Sequence, residues 1–309
     1  MRTTLNGPAE WQSSVIAVPP MARTKELDFA ADPNKRLIRH LEAGGISIIM
    51  CGGNANFYNI AISEYEEVLD FLEETVGPDT WVIPSIGPAF GAMRDQATIL
   101  ARRKFPAAMV LPTTANFSPV GLERAIRYAA DKLNQPLVIY AKTEGYLSVD
   151  QIAALDRDGC VLFVKYAIVR EKPEIDDYLT RLVDAIGTDR IVSGIGERPA
   201  LAHFRTFGLK GFTTGSGSVA PASSTSLLGA LKAKDYARAE QIRQRFLELE
   251  NLRDTYGPAE ILHAAVTLAD VADMGPVLPL MSEVSDDLLP DIAAAAKRLK
   301  AGEKAVEPA

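Results

Sequence analysis

Gln135-Pro136-Leu137-Val138-Ile139-Tyr140-Ala141-Lys142-Thr143-Glu144-Gly145, then a helical segment, then Cys160-Val161-Leu162-Phe163-Val164-Lys165: this stretch decides the fold. Residues 137–139 and 161–164 are each long enough for a strand buried on both faces. Each run ends in a residue able to do chemistry, Tyr140 in the first and Lys165 in the second. Between them Ser148 and Gln151 have capping-box spacing, which predicts the start of a helix. Strand, loop, helix, strand predicts parallel neighbours whose carboxyl ends share one edge of the sheet. In α/β folds that edge is where sites are built.

The same unit repeats on both sides of this stretch. Apolar runs at 14–18, 46–50, 81–86 and 107–111 precede it, and runs at 190–193 and 211–214 follow. Helical patterns separate them at 33–43, 91–103, 119–133, 173–186, 199–207 and 223–232, and Ser63 with Glu66 reads as the capping box of one more. Eight strand–helix units in about 220 residues, with no hairpin signal, predict an α/β fold, the TIM (β/α)8 barrel. A doubly wound open sheet would show fewer units and a Gly-rich turn after its first strand, where Pro19-Pro20 stands instead. Residues 1–234 are read as the barrel, with 1–13 a loose lead-in. Residues 235–309 are read as a C-terminal helical extension of the same domain, with helices at 235–256, 258–274 and 282–300 and a frayed tail from 302.

The bulk properties narrow the partners. The chain has 309 residues, 47% hydrophobic and 24% charged, which is ample for a core. A net charge of −7 argues against nucleic acid or an anionic membrane surface as the main partner. Cys51 and Cys160 have neither metal nor redox spacing and read as reduced thiols. The first residues show no apolar signal region, and no run approaches membrane-spanning length. The expectation is a cytoplasmic protein.

A lysine closing an apolar strand is awkward for stability, because a buried ammonium must be paired or lose its proton. A deprotonated lysine is a nucleophile of the Schiff-base kind, and a neighbouring tyrosine can move protons beside it. The bland alternative is a lysine that snorkels to water beside a half-buried aromatic. Two features favour the chemical reading: the barrel places Tyr140 and Lys165 at its mouth, and the turn Gly52-Gly53-Asn54-Ala55-Asn56 reaches the same mouth. Its glycines let backbone N–H groups approach an anion, and its amides donate further hydrogen bonds. Taken alone, it is also an ordinary Gly-rich strand exit. Glu197 and Arg198 read as pocket walls. His40 and His203 fall in helices and His263 in the extension, so no metal cluster and no cofactor is expected.

In order, spacing and barrel context these residues resemble the dihydrodipicolinate synthase / N-acetylneuraminate lyase family of class I aldolases. The resemblance covers residues 15–232, and Gly211-Phe-Thr-Thr-Gly-Ser216-Gly-Ser218 is similar to the family's final Gly/Ser-rich turn. It implies a tetrameric or dimeric lyase acting on a small 2-oxo acid such as pyruvate. Lys165 would form the imine and Tyr140 would shuttle protons. Gly52, Gly53 and Asn54 would hold the carboxylate, and Ser216 and Thr114 would be further substrate contacts.

The departures are specific. Asn54 replaces a usual threonine, and Thr114 stands where the synthase carries a second tyrosine lent by a neighbouring subunit. Gly145 stands where the synthase has an arginine for its second substrate. Lys142 instead matches an arginine of the 5-dehydro-4-deoxyglucarate dehydratase branch, which makes it a candidate clamp for a second anionic group unless Glu144 pairs with it. The leading expectation is an aldolase or dehydratase. A catalytically eroded barrel that binds a sugar acid without turnover is the alternative.

Overall fold

Runs that are apolar throughout form strands buried on both faces, as parallel sheets require. The computed structural model describes residues 1–113 and 115–303. Its strands are β1 (Ile16–Ala17), β2 (Ile48–Met50), β3 (Trp81–Ile83, resumed as Ser85–Ile86), β4 (Ala108–Val110), β5 (Leu137–Ala141), β6 (Val161–Tyr166), β7 (Ile191–Ser193) and β8 (Thr213–Thr214). Pairing runs β3-β2-β1-β8 and, from the second half of β3, through β4, β5 and β6 to β7. Pro84 has no N–H and interrupts the β3 ladder, but its carbonyl still accepts from the Met109 N–H at 2.9 Å. A parallel bridge between Ser193 and Phe212 joins β7 to β8 and closes the ring. The chain is a (β/α)8 barrel.

Eight helices alternate with the strands, from Ala31–Ala43 after β1 to Pro221–Lys232 after β8. The Ser148–Gln151 box forms on helix Val149–Arg157, with both bonds present at 3.1 and 3.2 Å. The box expected at Ser63 and Glu66 does not. Helix Ile62–Thr75 begins two residues earlier, with Ala61 as its N-cap, because its buried stripe of Tyr65, Val68, Leu69 and Leu72 sets the phase.

The decisive local feature is a register shift in β6. Leu137 pairs with Val161, but Val138 pairs with Phe163, so Leu162 is an extra residue. Arg190 Nη1 bonds the carbonyls of Val161 and Leu162 at 3.0 and 3.1 Å and holds the irregularity. Beyond it Tyr140 is the register partner of Lys165. Without the extra residue Tyr140 would pair with Val164, whose side chain points to the other face.

The lead-in is not loose. Helix Pro8–Trp11 buries Trp11, whose Nε1 donates to the Asp189 carbonyl at 3.1 Å. Its ring lies 5.8 Å from that of Phe163, two residues before Lys165, and so closes the barrel floor. The extension also differs from expectation. Residues 235–256 form two helices, Tyr236–Gln244 and Leu247–Tyr256, broken where Phe246 turns fully into the core. The next helix is Pro258–Leu268, ending short of 274, and the last is Leu289–Gly302 rather than 282–300. Among the described residues no helix is long and apolar enough to cross a membrane.

Candidate active site

The register that aligns β5 with β6 puts Tyr140 and Lys165 side by side on the inner face. Lys165 is 3% exposed. Its Nζ donates to the Gly194 carbonyl at 2.8 Å and sits 3.6 Å from the centroid of the Tyr140 ring. Gly194 must be glycine, since a Cβ there would lie 2.7 Å from Tyr166 O and 2.9 Å from Lys165 Cγ. No carboxylate pairs with the amine among the described residues. Burial holds it well below an ordinary lysine, and the charges of Lys142 and Arg253 push the same way. An aromatic face does favour an ammonium, by about 0.5–2 kcal/mol. Desolvating an unpaired ammonium costs several kcal/mol, so the neutral amine wins. Burial pushes the Tyr140 phenol up to about 12, with Arg253 opposing, so it carries its proton at neutral pH.

The amine and the phenol open into a cavity of about 390 Å³ lined also by Gly53, Asn54, Lys142, Gly196, Gly215 and Arg253. A larger cleft of about 600 Å³ lies at the opposite, amino end of the strands, between the lead-in and Arg190. The smaller cavity is the candidate site, because it holds the buried amine. Asn54 is half-buried and its Nδ2 donates to the Val18 carbonyl at 2.8 Å. Gly52 lies behind the wall, where a Cβ would be 2.9 Å from Met109 Cε, so its role is to let the turn pack. Lys142 is exposed at the rim, and Glu144 pairs with Arg170 rather than with it. Thr114 lies outside the described residues.

Two expectations change here. Ser216 was read as a substrate contact, but it is fully buried behind the cavity and its Oγ accepts from Arg253 Nη1 at 3.1 Å. Glu197 and Arg198 were read as pocket walls. Glu197 is instead fully buried, its Oε1 accepting from Thr214 and Ser224 at 2.5 Å each. Arg198 turns outward to Asp254 at 3.0 Å.

Sequence reasoning missed Arg253 and Glu250. They sit three apart on one face of helix Leu247–Tyr256, which lies over the carboxyl end of the barrel. Glu250 Oε1 accepts from Arg253 Nη1 at 3.2 Å and from the Glu197 N–H at 3.0 Å. Burial, then the charge of Glu197, pushes Glu250 up to about 8, so it is protonated at neutral pH. The Oε2 atoms of both glutamates lack a partner, and the Glu250 carboxyl reaches the Glu197 side chain. One proton between them supplies what both lack. In the sequence the pair reads as an ordinary solvated i,i+3 helix pair. The only signal was the glycines at 194, 196 and 215, which clear space for long side chains.

The sequence model described as the Dihydrodipicolinate synthetase family matches residues 11–299. The chain is 22% identical over 269 residues to a probable 5-dehydro-4-deoxyglucarate dehydratase of Acinetobacter baumannii (strain AB307-0294), covering 84% of this chain and 86% of that one. It is 24% identical over 261 residues to a 4-hydroxy-tetrahydrodipicolinate synthase of Anaeromyxobacter sp. (strain Fw109-5), covering 82% and 86%. Its fold matches the crystal structure of dihydrodipicolinate synthase from Oceanobacillus iheyensis with a TM-score of 0.82 at 20% identity, over 94% of this chain and 98% of that one.

Proposed function

The chain belongs to the dihydrodipicolinate synthetase family, and from that premise we propose that it is a Schiff-base-forming lyase, an aldolase or dehydratase, acting on a 2-oxo acid such as pyruvate or a ketodeoxy sugar acid. One observation carries this reading: a buried, unpaired amine at the end of β6, held by a carbonyl under a phenol ring, at the wall of a cavity. The neutral Lys165 nitrogen attacks the keto carbon, water leaves with the keto oxygen, and the nitrogen ends as a protonated imine. That cation draws electrons from the bond to be broken at C3, which yields an enamine. Tyr140, whose ring packs against the amine, passes the protons between leaving oxygen and substrate. The turn at Gly53 and Asn54 faces the carboxylate beside the keto carbon, and Lys142 at the rim faces a distal anionic group.

Borohydride reduction of the imine tests this directly. Pyruvate and a set of ketodeoxy sugar acids are each incubated with the protein and reductant, and the tryptic peptides are weighed. Mass added at Lys165 is expected. A ligand that binds without labelling would instead favour an eroded, binding-only barrel.

We also infer that the enzyme works as a homo-oligomer, a dimer or tetramer, in a reducing compartment such as the cytoplasm. Phe90, Phe117, Val120 and Tyr128, on or beside helices Phe90–Leu100 and Pro119–Leu133, are large apolar side chains at least 36% exposed. A cluster of that kind marks a surface that a second copy covers. Cys51 and Cys160 are buried and unpaired, which suits reducing conditions.

A further inference from the structure

Arg253 has no part in the chemistry assigned so far, yet its head enters the cavity that holds Lys165. It is 7% exposed and comes from a helix outside the barrel. Its Nη1 is committed to Ser216 and Glu250. Its Nη2 donates to no protein group among the described residues. The point where a Gly215 Cβ would sit is 3.4 Å from Nη2 and 3.0 Å from Asn54 Nδ2. Leu262 Cδ1, 2.5 Å from the same point, closes that spot itself, so the two nitrogen donors flank Gly215 and share the cavity it lines with Lys165. The Asn54 amide gives one proton to Val18 O and keeps the other. Gly196 clears the other flank, since a Cβ there would lie 2.4 Å from Glu250 Oε1 and 3.2 Å from Arg253 Nη1. Donors so placed, one always charged, in a cavity wall, lack only an anionic acceptor.

The surrounding acids leave that charge usable. Asp254 also lines this cavity, but its carboxylate is paired with Arg198 at 3.0 Å. Glu250 accepts from the guanidinium from behind, and Glu197 lies beyond Glu250, bonded to Thr214 and Ser224. Each has one oxygen without a partner, and a single shared proton satisfies both and removes one negative charge.

We propose that Arg253, held in place by Ser216 and Glu250, joins Asn54 in gripping the substrate carboxylate in this site. The proposal rests on the Schiff-base reading and adds the residue that discriminates a keto acid from a plain ketone.

The test is borohydride trapping at Lys165 as a function of concentration for pyruvate and for acetone, which lacks the carboxylate. Wild type, Arg253→Met and Asn54→Ala are compared. The preference for pyruvate over acetone should fall about 10–100-fold in Arg253→Met, as expected for a lost charged hydrogen bond, and several-fold in Asn54→Ala. Equal losses for both ketones indicate a structural role and overturn the proposal, as does an unchanged preference. Should Arg253→Met not fold, Arg253→Lys, which keeps the charge but not the fork, is read by the same ratio together with Asn54→Ala. A wild type labelled by neither ketone overturns the Schiff-base reading itself; a labelled wild type with an unmoved ratio overturns the proposal alone.

Discussion

Replacing Lys165 with methionine should stabilise the fold at neutral pH while abolishing imine formation. An ordinary lysine titrates at 10.5, and burial holds this one well below that. If the folded amine is neutral at pH 7, as the proposed mechanism requires, folding strips a proton that the unfolded chain keeps. Each unit of depression costs about 1.4 kcal/mol, and at pH 7 the cost has a ceiling of about 5 kcal/mol, the distance from 10.5 to 7 multiplied out. Methionine has no proton to lose and an unbranched side chain that fills the same channel. Against this, the Gly194 carbonyl loses its donor, at about 1–3 kcal/mol. The net expectation is a gain of about 1–3 kcal/mol at pH 7. The sign with pH follows from proton counts. Above its titration in the fold and below 10.5, the unfolded lysine binds more protons than the folded one, so wild-type stability rises with pH in that window. Urea unfolding of both proteins at intervals from about pH 6 to pH 10 measures the gap, which should narrow as pH rises. Every other titrating group is common to both chains and cancels. A variant less stable than wild type at pH 7, or a gap that ignores pH, would mean that the amine is charged in the fold and would refute the mechanism.

Glu250 gives the opposite sign. Held up to about 8, it keeps a proton in the fold that the unfolded chain loses from its ordinary 4.5 upward. Stability should fall as pH rises through that window, by up to about 1.4 kcal/mol per unit, and Glu250→Gln should flatten the slope in the same unfolding assay. Tyr140→Phe keeps the ring over the amine but removes the proton carrier. Stopped-flow trapping should show imine formation slowed about 10²–10⁴-fold, and a rate within twofold of wild type would remove Tyr140 from the mechanism. Val120→Asp, placing a charge on a side chain 66% exposed within the apolar cluster, should yield a smaller species by light scattering; an unchanged mass would exclude that face as the interface.

The barrel and the Lys165–Tyr140 pair were legible for one physical reason. A strand buried on both faces must be apolar throughout, so a lysine or tyrosine at its end stands out. Features that depend on distant register were not legible. Nothing in the sequence 160–166 marks Leu162 as the extra residue, because the bulge exists only relative to β5 and is held by Arg190 from the start of β7. Ser63 and Ser148 carry the same capping cue, yet only the second forms. At Ser63 the burial of Tyr65 and Val68 fixes the helix start and overrides a contribution of about 1 kcal/mol from the cap. Trp11 and Phe246 are single large side chains whose burial is decided by cavities that other segments create.

Arg253 was hidden for a further reason, and that reason bears on how the site works. A nucleophilic lysine needs low charge, while an acidic substrate needs a positive receptor. A carboxylate beside Lys165 would satisfy burial but would hold the amine protonated and inert. The structure separates the two demands. The buried acids, Glu197 and Glu250, stand behind a guanidinium that cannot lose its proton, and the amine is left with a neutral carbonyl, a ring face and two cations. The cations lower the lysine's proton affinity and, on the proposed function, also attract the substrate's anion. Once that anion arrives, its charge offsets theirs at the moment when the nitrogen becomes cationic in the imine. On that reading the receptor that raises the amine's reactivity is relieved by the substrate it binds, and the helical extension takes part in the chemistry of the barrel it covers.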